Sequence, residues 1–287
     1  MKFSNLYIGT LSGTSADSID AALFELGKKI NLVGSASKKI PEDLKSEITK
    51  LSNTQKNLND YPTKSLIKLD ESFALETANL INKLLTKLNI NKNLVHAIGS
   101  HGQTIQHFPR IDKPYSLQIG NPRIISKVTG IKTVGNFRKA NIEHGGIGAP
   151  LTPAFHKEIF FSKKLNRVII NIGGITNITR LIPGKKIIGW DSGPGNCMID
   201  QCVKEFSSNK MQFDDKGRIA KKGNANALIK EINKVLSMSY FQENLPKSQS
   251  TINFNFNKLS KSNLNKYSFA DWAAAMTEIT ALSIVKD

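Results

Sequence analysis

The sequence predicts an α/β protein of two lobes, residues 1–150 and 151–287, each founded on a β-β-β-α unit. One observation is a pattern used twice: strand, glycine-bearing turn, strand, hairpin and strand occur near the N-terminus and recur from residue 167. Another is that strands repeatedly run into glycine and polar residues, at the carboxyl ends where open α/β sheets hold ligands. Length is the third, since 287 residues bury a substantial core and suffice for two ordinary lobes.

The chain is organised around Ile8-Gly9-Thr10-Leu11-Ser12-Gly13-Thr14-Ser15-Ala16-Asp17-Ser18-Ile19-Asp20, a tight turn between apolar residues 5–8 and 21–26. Gly13 lets backbone N–H groups approach an anion, and Ser12, Thr14 and Ser15 add hydroxyl donors. Asp17 or Asp20 offers the carboxylate that a hydrated Mg2+ prefers. A surface β-hairpin rich in turn formers explains the same residues, and both readings stand at this point. The turn is not a Walker A loop, because no Gly-Lys-Ser/Thr follows and no helix opens after it.

Residues 21–26 and 30–35 read as the second and third strands, joined by Gly27-Lys28-Lys29. Residues 41–51 form a helix with Pro41 at its first turn and Glu42 and Asp43 beside it. Residues 63–88 form a longer one, with Leu66, Leu69, Phe73, Leu75, Ala78, Leu80, Ile81, Leu84 and Leu85 as its buried face. A strand at 97–99 ends in Ser100-His101-Gly102-Gln103-Thr104, and 116–119, 122–129 and 132–134 read as strand, helix and strand. The last of these strands runs into residues 135–141 and on to Gly145-Gly146-Ile147-Gly148-Ala149-Pro150, so polar and glycine residues again fall just past a strand.

In the second unit, 167–171 is a strand, 172–177 a glycine turn, 178–182 a strand, 183–185 a hairpin turn and 187–190 a strand. Asp191-Ser192-Gly193-Pro194-Gly195-Asn196 then precedes a helix at 197–206. Together they bring a carboxylate and a helix N-terminus to one point, as a phosphate and its metal require. A polar loop (213–226), a helix (227–236), an irregular segment (245–257) and a helix at 269–285 with Ser268 as N-cap follow. No strand follows to complete the second sheet, so the second lobe reads as incomplete at the C-terminus, with a sheet edge and an apolar helix face uncovered.

Composition narrows the function. The net charge of +17 rests on scattered lysines, and arginine stands only at 110, 123, 138, 167, 180 and 218, which argues against nucleic-acid binding. No stretch approaches the roughly 18 apolar residues of a membrane span. Polar Ser4, Asn5, Thr10 and Ser12 interrupt any signal peptide, so a cytoplasmic protein is expected. Cys197 and Cys202 match neither a redox pair nor a zinc knuckle and read as reduced and structural.

Eight motifs in collinear order, over about residues 8–283, resemble the anhydro-N-acetylmuramic acid kinase family. They are the opening turn, the 100–104 segment, Leu117-Gln118-Ile119-Gly120, Phe137-Arg138, the 145–151 segment, Asn171-Ile172-Gly173-Gly174-Ile175, the 191–196 segment and Pro246-Lys247-Ser248. The resemblance implies the two-lobed sugar kinase, Hsp70 and actin fold. It also implies ATP- and Mg2+-dependent opening of the 1,6-anhydro ring with phosphorylation of O6, in cell-wall recycling, and a homodimer as in relatives. By motif, Gly13, Thr14, Ser15, Ala16, Asp17, Ser18, Ile19 and Asp20 would cradle the ATP phosphates. Gly173, Gly174, Gly193, Gly195 and Asn196 would line the nucleotide side, with Asp17 and Asp191 near the metal. His101, Gln103 and Thr104 would lie on the sugar side, with Arg138 nearby.

Two departures qualify the resemblance. The family pattern at 136–141 is Asp-Phe-Arg-x-x-Asp, one aspartate being the base that activates water, and this chain has Asn136 and Asn141. Ile147 also replaces a glutamine there. The second departure is length: the resemblance implies several tens of further residues past 287, with a Gly-Gly-Gly turn and much of the adenosine pocket. An amide cannot take the proton, so a relative that binds sugar or nucleotide without turnover is the second reading.

Overall fold

The computed structural model describes residues 5–52, 63–109, 114–249, 251–260 and 262–286. It divides into two compact units, Met1–Gly148 and Ala149–Asp287.

In the first unit β1 (Leu6–Leu11), β2 (Ser18–Leu26) and β3 (Ile30–Lys39) form an antiparallel meander. Helices α1 (Glu42–Ser52) and α2 (Thr63–Lys87) follow, and β4 (Val95–Ser100) then joins β1 in parallel. After a separate hairpin, β5 (Gln103–Phe108) and β6 (Tyr115–Ile119), come α3 (Pro122–Thr129), β7 (Thr133–Val134) and α4 (Phe137–Glu143). The main sheet has the order β3-β2-β1-β4-β7. Alternation decides which side of it is covered: Leu6 and Ile8 of β1 and Ile19, Ala21 and Leu23 of β2 are buried in one cluster with Leu69, Phe73, Ile81 and Leu84 of α2. Each large side chain there contributes about 1.5–3 kcal/mol by leaving water.

Leu75, expected in that core, is 39% exposed. It lies two residues beyond Phe73, about 200° around the helix, so Ala74 and Thr77 take the buried positions instead. The polar residues past β7 include α4, to which the sequence pattern assigns no element, and β5 is likewise unassigned because Gln103, Thr104, Gln106 and His107 mask the alternation around Ile105.

Gly102 links the hairpin to the sheet. Its φ is +72°, and a Cβ there would stand 2.2 Å from the Ile119 carbonyl oxygen. Gly102→Ala therefore combines left-handed strain with a backbone clash and is expected to destabilise the protein by about 2–3 kcal/mol in urea unfolding. An unchanged midpoint would mean that the hairpin shifts freely.

The second unit begins with α5 (Thr152–Phe160), absent from the sequence reading although Pro153 stands in its first turn. A meander of order β10-β9-β8 follows: β8 (Arg167–Ile172), β9 (Ile175–Leu181) and β10 (Ile188–Pro194). It leads into α6 (Cys197–Phe206), then α7 (Ile229–Leu236), α8 (Phe256–Ser260) and α9 (Phe269–Lys286). The repeated β-β-β-α order is thus present in both units.

Ser268 caps α9 as expected: its Oγ accepts from the Asp271 N–H at 3.1 Å, and the Asp271 carboxylate reaches back to the Ser268 N–H at 3.3 Å. The apolar face of α9 is not uncovered. Trp272, Met276 and Ile279 pack with Met198 and Cys202 of α6, Ile232 of α7 and the aromatics Tyr240, Phe241, Phe254 and Phe256. Val285, near the end of α9, is exposed, and so are Val168, Ile170 and Ile172 of β8, an edge strand among the described residues. Both cysteines are free, and burial pushes each thiol up to about 12, which keeps them protonated.

Candidate functional site

In the first unit the parallel strands β1 and β4 end side by side, with Thr10 opposite Ser100. Both residues are buried, and both hydroxyls lack a hydrogen-bond partner. An unpaired buried hydroxyl costs about 1–3 kcal/mol, so such groups ask for an explanation, and a ligand site is one.

The turn beyond β1 is shorter than expected. Ser18, Ile19 and Asp20 belong to β2; Ile19 is a core residue, and Asp20 faces a different cavity on the sheet surface. The turn proper spans residues 12–17, with Ala16 rather than Gly13 in the left-handed region (φ 51°) and the Ala16 N–H donating to Gly13 O at 3.0 Å. Gly13, Thr14, Ser15 and Asp17 are exposed. Asp17 sits 2.5 Å from Lys45 Nζ with its side chain 63% exposed, so one carboxylate is open to a hydrated cation.

Gln103, expected to face sugar, is fully buried. Its Oε1 lies 2.6 Å from Ser12 Oγ and its Nε2 donates to Thr104 O, so it braces the turn from behind. Thr104 lies in β5, its Oγ1 accepting from Gln118 Nε2 at 3.4 Å.

His101 accepts from Arg138 Nε at Nε2, 3.0 Å away, which puts its proton on Nδ1, 3.1 Å from Gly102 O. Desolvation, reinforced by the Arg138 charge, holds His101 below its ordinary value and lowers His107 to about 4. The unfolded chain therefore binds more protons than the native one below about pH 6.5. Stability is expected to be flat above that pH, to fall as pH drops toward 4 and to level off below. His107 contributes up to about 3 kcal/mol before its partial exposure is discounted. Urea unfolding across this window, with His107→Gln flattening the slope, checks the sign.

Asn136 and Asn141, expected to stand where the family has aspartates, differ in environment. Asn136 has φ 59° and makes no side-chain cap on α4. It lines a cavity of about 460 Å3 together with Ser100, His101, Gln118, Asp70 and Arg123. Asn141 is a brace: its Oδ1 accepts from the Gly148 N–H at 2.8 Å and its carbonyl from the Gly146 N–H at 2.8 Å, which shapes the 145–148 turn. The Asn141 acceptor is thus engaged within the protein, whereas Asn136 is exposed at the cavity wall. Asp70 escaped the sequence reading because a lone acid on a long helix carries no signal. Here its Oδ1 accepts from the Gly120 N–H at 2.7 Å.

In the second unit the expected anion site is already filled by the protein itself. The N–H groups of Gly195 and Cys197 donate to Gly174 O at 3.0 and 3.2 Å, and that of Asn196 to Gly173 O at 2.7 Å, so the start of α6 is capped by the glycine turn. A Cβ on Gly195 would stand 2.1 Å from Gly173 O, which explains a glycine there. Gly193 is a strand residue packed against Ser283 and Phe241.

Asp191 also lies within β10. Its Oδ2 accepts from Ser248 Oγ at 2.7 Å and from the Gln249 N–H at 2.9 Å, and its N–H donates to Lys247 O at 2.9 Å. It clamps the Pro246-Lys247-Ser248 segment, so of the two expected metal-side carboxylates only Asp17 has a surface open to a cation. No group of three or more metal-ligating side chains occurs among the described residues, and none of their helices is long and apolar enough to cross a membrane.

The model of the anhydro-N-acetylmuramic acid kinase family matches residues 5–287. The chain is 37% identical over 286 residues to the anhydro-N-acetylmuramic acid kinase of Shewanella denitrificans, covering 98% of this chain and 75% of that one. Its identity to the enzyme of the same description from Coxiella burnetii is 38% over 283 residues, covering 97% and 73%. Among solved structures, component A of (R)-2-hydroxyglutaryl-CoA dehydratase from Acidaminococcus fermentans is similar at a TM-score of 0.38 and 9% identity, covering 99% of each chain. Matched along nearly its whole length, the chain belongs to the anhydro-N-acetylmuramic acid kinase family.

Proposed function

We propose that the protein is an ATP-dependent kinase that hydrolytically opens 1,6-anhydro-N-acetylmuramic acid and phosphorylates O6, giving N-acetylmuramic acid 6-phosphate in cell-wall recycling. The observation that carries this reading is the family match over residues 5–287. Water adds to the anomeric carbon, the C1–O6 bond breaks, and O6 takes the γ-phosphoryl group, releasing ADP and a proton. ATP as co-substrate implies a cytoplasmic location.

The first unit is assigned sugar recognition and the phosphate turn, the second the nucleotide side. Exposed residues 13–15 would receive phosphate oxygens on N–H and hydroxyl groups. Bound Mg2+ would neutralise phosphoryl charge, with Asp17 as the carboxylate available to it. The cavity of about 460 Å3 suits a single amino sugar, with His101, which accepts from Arg138, on its wall and Asn136 at the position of the water-activating base. At Asn136 this chain lacks an acceptor for the proton, so slow chemistry is expected.

The test is incubation of the full-length protein with ATP, Mg2+ and anhydro-N-acetylmuramic acid, following ADP and the 6-phospho-sugar. Sugar-dependent ADP release with matching 6-phosphate supports the reading. Phosphorylation of a different acceptor in preference would overturn it.

A further inference from the structure

The cavity that holds Asn136 carries charges of opposite sign. Asp70 of α2 lines it, and so does Arg123, the second residue of α3. Arg123 is exposed and makes no ion pair with any described residue, whereas Asp70 is tied through Oδ1 to the Gly120 N–H. His101, the cavity's other basic side chain among the lining residues, is held neutral at pH 7 by burial and by Arg138. Arg123 is therefore the fixed positive charge on this wall. Ser100 lines the same cavity, 3% exposed, its hydroxyl without a partner, which marks the space as built for a polar occupant.

A muramic acid differs from the corresponding glucosamine by one group, a 3-O-lactyl ether ending in a carboxylate. Guanidinium is the side chain whose planar donor fork matches a carboxylate with two parallel hydrogen bonds. We infer that Arg123 is a specificity-determining residue that pairs with the lactyl carboxylate, so that the cavity selects acidic over neutral anhydro-amino sugars. The inference rests on the sugar-kinase reading. It adds which atom of the substrate is recognised and by which side chain. Asp70 sets the orientation: its carboxylate repels the lactyl group and accepts from hydroxyl or amide N–H groups elsewhere on the ring.

Calorimetric titration separates the two readings without requiring turnover. The full-length protein with a non-hydrolysable ATP analogue is titrated with 1,6-anhydro-N-acetylmuramic acid and with 1,6-anhydro-N-acetylglucosamine, which lacks the lactyl group. The acidic sugar is expected to bind about tenfold or more tightly, as a charge-assisted pair supplies. Arg123→Gln should abolish that preference and leave the neutral sugar's affinity unchanged, while Arg123→Lys should retain part of it. Raising salt should narrow the gap in the parent protein only. Binding of both sugars with equal affinity, or an unchanged preference in Arg123→Gln, overturns the role of Arg123 while leaving the kinase reading intact. If neither sugar binds the parent protein, both fall together. Thermal melting of each variant separates misfolding from lost recognition, and a folded Arg123→Gln that weakens both sugars equally counts against the inference.

Discussion

Asn136→Asp is expected to raise the rate of sugar-dependent phosphoryl transfer by about two to four orders of magnitude, the usual contribution of a positioned general base. The substitution suits the site. Asn136 occupies the left-handed region (φ 59°), which Asn and Asp both tolerate, and it makes no side-chain cap whose loss would offset the gain. It is exposed at the cavity wall, so a carboxylate there stays hydrated and ionised near neutral pH. Asn141→Asp is the matched control and should leave the rate unchanged, because a carboxylate oxygen accepts from the Gly148 N–H as the amide oxygen does. Single-turnover measurement of the 6-phospho-sugar reads both. A rate for Asn136→Asp no faster than the parent's would mean that the proton is taken elsewhere.

Asp191→Ala is expected to destabilise the second unit by about 3 kcal/mol, with loss of the ordered 246–249 segment. The substitution leaves Ser248 Oγ and the Gln249 N–H without their buried acceptor, at about 1–3 kcal/mol each. The Tyr240 hydroxyl and the Lys247 carbonyl, bonded to the Asp191 backbone, would hold the segment only in part. Urea unfolding without nucleotide or metal shows the effect directly. Unchanged stability together with lost Mg2+-dependent nucleotide binding would instead make Asp191 a ligand.

Much of the fold was legible because it depends on local chemistry. Gly27-Lys28-Lys29 and Pro183-Gly184-Lys185 carry hairpin signals, Asn121-Pro122 opens a helix that ends at Gly130, and Ser268 caps α9. The apolar period of α2 was equally plain apart from Leu75. Helix α4 was hidden because Asn136 supplies no cap bond, and β5 because polar residues interrupt its alternation.

The candidate site divides in the same way. The sequence alone determined the family, the repeated β-β-β-α order and the residues gathered at strand ends, the amides of Asn136 and Asn141 among them. Only the tertiary structure decided what each polar group is free to do. It turned Gln103 toward Ser12, engaged Asn141 with Gly148 and Asp191 with Ser248, and capped the start of α6 with the Gly173 and Gly174 carbonyls. It left Asn136, Ser100 and Arg123 on one cavity wall. The physical reason is that most buried donors and acceptors are paired within the protein, and the exceptions, such as the Thr10 and Ser100 hydroxyls, mark places left for a ligand. Those partners lie far apart in sequence, 91 positions for Ser12 and Gln103 and 57 for Asp191 and Ser248, so residue type cannot separate a brace from a ligand contact.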